Sequence, residues 1–317
     1  MGQALSELFP PKPKWTVDQI PDLSGKVAIV TVGNTGIGKA TCKHLLLHNA
    51  KVYMASRSPE RAEAAIADLK TITKKDDIHF IKLDLADLEN VKASAAEFQS
   101  KEKELHMLYN NAGVMSCPMD MLTTQGFDLQ FGTNAIGHAY FTKLLIPTLL
   151  ETAKTTPGGM VRVINTSSGG HVGAPKSGIL WETLKDGPER NKKLSRTSAY
   201  FQSKWANVIF SNELARRYGD QGVVSTSLNP GAIDTELARY IPKWAAPLMI
   251  LFKLLLSPAD PNGAMTQLYA GTAPETASAN GKYFIPWARE GLPRKDTDNE
   301  GAEKKLWDYI DEVTAGI

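Results

Sequence analysis

Short apolar runs alternate with longer segments of helical periodicity along most of the chain. Several runs are apolar at almost every position, which is typical of parallel strands covered on both faces. The predicted strands are Lys26–Val32, Lys51–Ala55, Ile78–Leu83, Leu105–Tyr109, Val161–Thr166, Val223–Leu228 and Lys282–Ile285. The predicted helices are Gly36–Asn49, Pro59–Thr71, Leu88–Lys103, Asn134–Thr152 and Ser198–Tyr218. The alternation predicts a single-domain α/β fold of the Rossmann type, a doubly wound parallel sheet of about seven strands.

Two segments of the chain do not follow this alternation of strands and helices. Residues 1–25 are rich in proline and lack periodicity, which predicts an extended arm lying on a domain that spans 26–317. A very apolar segment, Trp244–Leu256, lies in the region near 236–260. It is too short to span a bilayer. We favour a substrate flap over an ordinary buried helix, and contact of this segment with a membrane surface stays open.

Composition narrows the class of protein. The 317 residues are 42% hydrophobic and 22% charged, with a formal net charge of +2, so a nucleic-acid-binding role is not expected. Two cysteines and the absence of a signal peptide predict a reduced, cytoplasmic protein. Gly2 and Ser6 match a myristoylation pattern, although an ordinary polar start is the favoured interpretation. His44 and His48 have metal-compatible spacing but no third ligand, so no metal site is assigned.

A glycine-rich turn follows the first predicted strand and opens the first long helix. The turn runs from Thr31 through Gly33, Gly36 and Gly38. Glycines at such a turn let the backbone approach a pyrophosphate, and the helix N-terminus offers free N–H groups. The second strand ends at Arg57 with no carboxylate, an arrangement that favours the 2′-phosphate of NADP(H) over the free ribose of NAD(H).

Tyr200 and Lys204 lie four residues apart on a predicted helix, so they share one face. The charge of the lysine is expected to lower the pKa of the phenol toward neutral pH, which would suit Tyr200 to general acid/base catalysis. Ser168 follows a predicted strand, and active sites of open α/β sheets lie at the carboxyl ends of their strands.

From Lys26 to Ile285 the chain resembles the short-chain dehydrogenase/reductase family. The resemblance rests on an ordered set of motifs rather than on any single one. These are the glycine turn, Asp84, Asn110-Asn111-Ala112-Gly113, Asn134, Ser168, Tyr200 with Lys204, and Asn229-Pro230-Gly231-Ala232-Ile233-Asp234-Thr235.

The resemblance implies a role for each matching position. Tyr200 is expected to be the general acid/base, and Ser168 to bond the substrate carbonyl. Lys204 would hold the nicotinamide ribose, and Asn134 would position a water molecule that links Lys204 to solvent. The expected cofactor contacts also include Gly33, Asn34, Thr35, Gly36, Ile37, Gly38, Arg57, Asp84, Leu85, Asn111, Ala112, Gly113, Pro230, Gly231, Ile233 and Thr235.

The spacing of the catalytic residues points to one branch of the family. Ser168 and Tyr200 are 32 positions apart, and the long spacer resembles that of retinol dehydrogenases and WW-domain oxidoreductases. That resemblance implies a lipophilic alcohol, aldehyde or ketone as substrate, of retinoid, terpenoid or polyketide type. A homodimer is a further expectation from the family.

One position departs from the family pattern. Val32 stands where the family has glycine, and Gly33 follows one place later. If this position requires a positive φ, a β-branched residue introduces roughly 1–3 kcal/mol of strain. Reduced cofactor affinity is therefore expected. Two alternatives stay open beside the NADP(H)-dependent enzyme: a non-catalytic dinucleotide-binding sensor or scaffold, and an NAD(H)-dependent oxidase of a secondary metabolite.

Overall fold

A computed structural model of the chain describes residues 2–156, 158–240 and 256–317. The strands form one sheet in the order β3-β2-β1-β4-β5-β6-β7-β8, parallel except for the last pair. They are β1 Val27–Thr31, β2 Lys51–Ser56, β3 Ile78–Lys82, β4 Met107–Asn110, β5 Val161–Thr166, β6 Val223–Leu228, β7 Tyr283–Ile285 and β8 Arg289–Gly291. The predicted parallel α/β sheet is confirmed. The short antiparallel edge strand β8 was not predicted from the sequence.

Helices flank the sheet on both faces. They are α1 Gln3–Leu8, α2 Gly36–Leu47, α3 Pro59–Thr73, α4 Leu88–Lys101, α5 Leu129–Phe131, α6 His138–Thr155, α7 Pro188–Lys193, α8 Arg196–Tyr218, α9 Ala264–Thr272 and α10 Glu300–Thr314. A π-helical turn, Gly132–Gly137, joins α5 to α6. None of the described helices is long and apolar enough to cross a lipid bilayer.

Alternate residues of the central strands serve two separate cores. Val27 and Ile29 of β1 pack into one apolar cluster, whereas Ala28 and Val30 pack into the other. Both clusters are buried because a β-strand directs successive side chains to opposite faces of the sheet. All five residues of β1 are buried, which explains why four of the five are apolar.

The N-terminal residues lie on the body of the protein and include a helix, α1, where the sequence predicts an extended arm. Trp15, Val17, Ile20 and Leu23 are buried in the same core as α2. The predicted flap Trp244–Leu256 lies outside the described residues except for Leu256.

Candidate active site

Four loops meet at the carboxyl ends of the central strands and line one cavity. They follow β1, β4, β5 and β6, which are adjacent in the sheet. Parallel strands end at the same edge, so residues far apart in sequence lie together there. The predicted residues that line this cavity are Thr35, Gly36, Ile37, Gly38, Asn111, Ala112, Gly113, Ser168, Tyr200, Lys204, Pro230, Gly231, Ile233 and Thr235.

The first of these loops leads directly into the N-terminus of α2. No side chain caps this helix, and no acidic residue lies in its first turn. Its first amide groups have no partner within the helix, so they form an anion-binding position. Gly38 leaves room there, since a Cβ atom at this residue would collide with the carbonyl of Val32.

Val32 adopts the left-handed backbone conformation, with φ of +51°. Residue 32 therefore has the positive φ that strains a β-branched side chain, at a cost of roughly 1–3 kcal/mol. The neighbouring Gly33 does not have a positive φ. A Cβ atom on Gly33 would lie 2.9 Å from the sulfur of Cys42, so this glycine serves close packing instead.

A second cavity, of about 550 Å³, continues from the first and shares Val32 and Thr35 with it. The predicted residues that line the second cavity but not the first are Asn34, Arg57, Asp84 and Leu85. The structure adds Arg61, whose guanidinium makes two bonds of 2.7 and 2.8 Å to the carboxylate of Glu236. Neither residue is marked by the sequence pattern, because only the tertiary fold brings the loop after β6 against α3.

Tyr200 and Lys204 lie on α8, which begins with a capping box formed by Ser195 and Ser198. Both functional side chains are buried. The hydroxyl of Tyr200 is hydrogen-bonded to Ser168, whose Oγ also accepts the N–H of Gly170 at 3.0 Å. The structure therefore brings together the serine, tyrosine and lysine that the sequence predicts.

The prediction that Lys204 lowers the pKa of Tyr200 is wrong for this structure. Burial raises the pKa of Tyr200 to about 12, and the hydrogen bond to Ser168 only partly opposes that effect. Burial also lowers the pKa of Lys204 to about 7. At neutral pH only about half of the lysine is therefore charged, which reduces its ability to stabilise a tyrosinate.

Backbone groups fix the position of Lys204. Its Nζ donates to the carbonyl of Thr166 at 2.9 Å, and Asn207 donates to the same oxygen at 3.1 Å. A Cβ atom on Gly113 would lie 3.5 Å from this Nζ, so the loop after β4 closes the other side. The amino group therefore lies in the wall of the first cavity.

Asn134 lies within the π-helical turn, and its side chain is fully engaged. The amide donates to the hydroxyl of Ser203 and to the carbonyl of Val114, both at 2.9 Å. The amide oxygen accepts the N–H of Val114 at 2.8 Å. The side chain thus connects α8 to the loop after β4.

His138 has a position at the site that the sequence does not predict. Its Nδ1 lies 3.0 Å from the carbonyl oxygen of Asn134, and its Nε2 lies 3.0 Å from Oγ1 of Thr31. Burial lowers the pKa of His138 to about 3, so the ring is neutral. Thr31 in turn accepts the N–H groups of Asn111 and Ala112 at 2.9 Å each. This chain of bonds joins the phosphate loop to Asn134.

His171 supports Ser168 in a similar way. Its Nδ1 lies 2.7 Å from the carbonyl of Ser168, and its Nε2 accepts the N–H of Arg294 at 2.9 Å. Burial lowers the pKa of this histidine, so it remains neutral. Sequence spacing gives no signal for this contact, since Arg294 lies at the other end of the chain.

Gly231 lies in the loop after β6 and has a φ of +98°, which favours glycine. A side chain at this position would press against Pro286 and Trp287. The next part of the loop is held by pairing of Ile233 with Ser257. Pro230, Ile233 and Thr235 consequently line the cavity beside Lys204 and Tyr200.

Comparison with known proteins agrees with this geometry. A family model described as short chain dehydrogenase matches residues 26–179. A short-chain dehydrogenase/reductase of Armillaria gallica is 54% identical over 98% of both chains. Mouse retinol dehydrogenase 11 is 38% identical over 90% of this chain and 85% of its own.

Solved structures show the same architecture. A Mycobacterium paratuberculosis protein is 28% identical and superposes with a TM-score of 0.71 over 95% of this chain and 97% of its own. The NADP complex of RhlG from Pseudomonas aeruginosa is 22% identical, with a TM-score of 0.64 over 84% and 96% of the two chains, and this likeness shows the fold alone. With these matches and the ordered motifs of its site, the chain belongs to the short-chain dehydrogenase/reductase family of oxidoreductases, and it is similar to retinol dehydrogenases.

Proposed function

We propose that this protein is an NADP(H)-dependent oxidoreductase that acts on a lipophilic alcohol, aldehyde or ketone. The observation that carries the proposal is the set of Ser168, Tyr200 and Lys204, with the tyrosine and the lysine buried, at the edge of a cavity that begins at a helix N-terminus. A binding protein has no need of a buried phenol hydrogen-bonded to a serine. The relatives named retinol dehydrogenase support a lipophilic substrate.

The residues of the two cavities fit a nicotinamide dinucleotide. The uncapped N-terminus of α2 and the space at Gly38 suit a pyrophosphate, and Lys204, which lines the same cavity, would hold the nicotinamide ribose. Arg57 and Arg61 suit a 2′-phosphate at the far end. Solved structures with this fold include complexes with NADP and with NADH. When bound, the cofactor supplies or accepts the hydride.

The protein's own contribution is orientation and proton transfer. In the direction of reduction, the Tyr200 hydroxyl donates its proton to the substrate carbonyl oxygen, and the Ser168 hydroxyl donates a hydrogen bond to the same oxygen. A phenol whose pKa is about 12 is protonated at neutral pH and ready for this step. In the direction of oxidation the same groups act in reverse, and a charged Lys204 favours the tyrosinate that must form.

The strained backbone at Val32 favours a second candidate, a dinucleotide-binding protein without turnover. We test the two together by calorimetric titration of the purified protein with NADPH and with NADH, followed by assays with a panel of aldehydes and ketones. Tighter binding of NADPH together with turnover is the expected result. Tighter binding of NADH would contradict the role of Arg57. Binding without turnover of any carbonyl would favour the second candidate.

A further inference from the structure

Helix α1 has no part in the cofactor site, yet side chains fix it firmly to the body. The amide of Gln3 pairs with both backbone groups of Leu292, donating to the carbonyl at 2.7 Å and accepting the N–H at 2.8 Å. Arg289 donates to the carbonyl of Ser6 at 2.9 Å. These contacts hold α1 against β8 and the loop that follows it.

Glu7 extends from α1 toward the two loops that carry the substrate end of the site. Its Oε2 accepts a hydrogen bond of 2.7 Å from Asn229, whose own Oδ1 accepts the N–H of Gly231 at 3.0 Å. A Cβ atom on Gly169, the neighbour of Ser168, would lie 3.6 Å from the same Oε2. Glu7 therefore lies between the loop after β5 and the loop after β6.

The buried residue Tyr283 places this carboxylate near the reacting groups. Burial raises the pKa of Tyr283, and the charges of Glu7 and Tyr200 both add to the effect. The hydroxyl of Tyr283 also lies 3.4 Å from Nδ1 of His171, the residue that holds Ser168. One buried tyrosine is thus close to both α1 and the proposed catalytic residues.

Exposed apolar side chains are frequent on α1 and on the segments next to it. Seven large hydrophobic residues are exposed among those the structure describes, and five lie on α1 or on the two segments next to it. We call these five the α1 rim: Leu5, Leu8, Phe9, Val172 and Leu292. Their exposed fractions run from 43% to 77%. A cluster of this kind beside a binding site typically meets an apolar ligand or partner.

We propose that α1 forms one wall of the substrate entrance, where the α1 rim contacts the apolar part of a carbonyl substrate. Glu7 is the positioning residue that ties this wall to the Asn229 loop. The inference rests on the proposed oxidoreductase function and adds to it the residues that recognise the substrate. It assigns the first residues of the chain, rather than the sheet, to discrimination between long and short substrates.

The test compares decanal with propanal as substrates of the full-length protein, with NADPH saturating. The variants are Glu7→Ala, Glu7→Gln, and a triple change of Leu5, Leu8 and Phe9 to serine. Glu312→Ala on α10 is the matched control, because this glutamate is exposed and lies outside both cavities. NADPH affinity, melting temperature and oligomeric state are measured for each variant.

We expect the triple variant to raise KM for decanal about tenfold, since apolar contact area is lost, and to leave KM for propanal and the affinity for NADPH unchanged. Glu7→Ala should raise the same KM several-fold, and Glu7→Gln should recover most of the loss because an amide oxygen still accepts from Asn229. A merely structural role would change the melting temperature and both KM values together.

Two outcomes would overturn the proposal. One is equal KM ratios for decanal and propanal in the wild type and in the triple variant. The other is a change in oligomeric state in the triple variant with both KM values unaltered, which would make the α1 rim an interface between copies. Failure of the wild type to reduce either aldehyde would instead count against the proposed function, so the two failures are distinguishable.

Discussion

The cofactor end and the catalytic end of the site are built in opposite ways. At the cofactor end, backbone amides of α2 and the exposed Arg57 face open cavity, and Val32 holds a strained conformation. At the catalytic end, Ser168, Tyr200 and Lys204 are hydrogen-bonded, and the latter two are buried. One end is arranged to receive a charged molecule, whereas the other has its polar groups already in position.

This contrast shows how one sheet edge serves two demands. A polyanionic ligand binds well to dipoles and cations that remain near solvent, since little desolvation of the protein is needed. Proton transfer depends on fixed geometry and perturbed pKa values, which require burial and many hydrogen bonds. Changes at the two ends should therefore separate turnover from cofactor affinity.

The largest effect is expected at the catalytic end. Tyr200→Phe removes the proton donor, so kcat should fall by about 10²–10⁴-fold, while NADPH affinity stays within about twofold of the wild type. Steady-state assays and calorimetry measure the two quantities. Tyr269→Phe on α9 is the control, because that hydroxyl is outside both cavities. A variant with wild-type turnover would remove Tyr200 from the mechanism.

The converse change lies at the cofactor end. Arg57→Ala should weaken NADPH binding by about tenfold and leave NADH binding unchanged, because the lost contact involves only the 2′-phosphate. At saturating NADPH, kcat should be preserved. Lys70→Ala removes an exposed cation from the far part of α3 and serves as the control. Equal losses for both cofactors would show that Arg57 acts through general charge, and an unaltered affinity would transfer the role to Arg61.

A smaller effect is expected at Val32. Val32→Gly relieves roughly 1–3 kcal/mol of backbone strain, offset in part by about 0.4–1 kcal/mol of added chain entropy in the unfolded state. The free energy of unfolding and the affinity for NADPH should both rise, the latter by about threefold.

The control is Lys74→Gly, since Lys74 also has a positive φ of +58° but lies away from the site. It should gain stability without any change in NADPH affinity. Unchanged or weaker NADPH binding by Val32→Gly would contradict the idea that this residue impairs the loop.

The smallest expected effect is proton uptake by Lys204, a catalytic-end residue, when NADPH binds. Its pKa of about 7 leaves it mostly neutral at pH 8, and an anionic cofactor that it contacts will raise that pKa. NADPH binding should therefore take up a proton, approaching about one per molecule at pH 8 and less at pH 6, where the lysine is already protonated. Calorimetry in buffers of different ionisation enthalpy measures this uptake.

Lys204→Met should abolish the uptake at pH 8. Lys143→Met should retain it, since burial also lowers the pKa of Lys143 but this lysine pairs with Asp311 away from the cavities. Uptake that persists without Lys204 would assign the proton to another group.

The sequence alone determined the seven parallel strands, five of the flanking helices and most of the residues that line the site. Continuous apolar runs and helical periodicity are local signals, and each reflects the burial of a single element. The motifs are likewise recognised by their residues and their order along the chain, so Ser168, Tyr200 and Lys204 could be identified without coordinates. Helix α1 and strand β8 were missed because each is very short and has almost no periodicity. Helices α9 and α10 were also not predicted, although α10 spans Glu300–Thr314.

Tertiary structure alone decided how those residues behave. The raised pKa of Tyr200 and the lowered pKa of Lys204 come from burial beneath loops that are distant in sequence. The bonds from His138 to Thr31 and from Glu7 to Asn229 join positions separated by 107 and 222 residues. No local pattern encodes such contacts, since they depend on which strand ends and helices the completed sheet brings side by side.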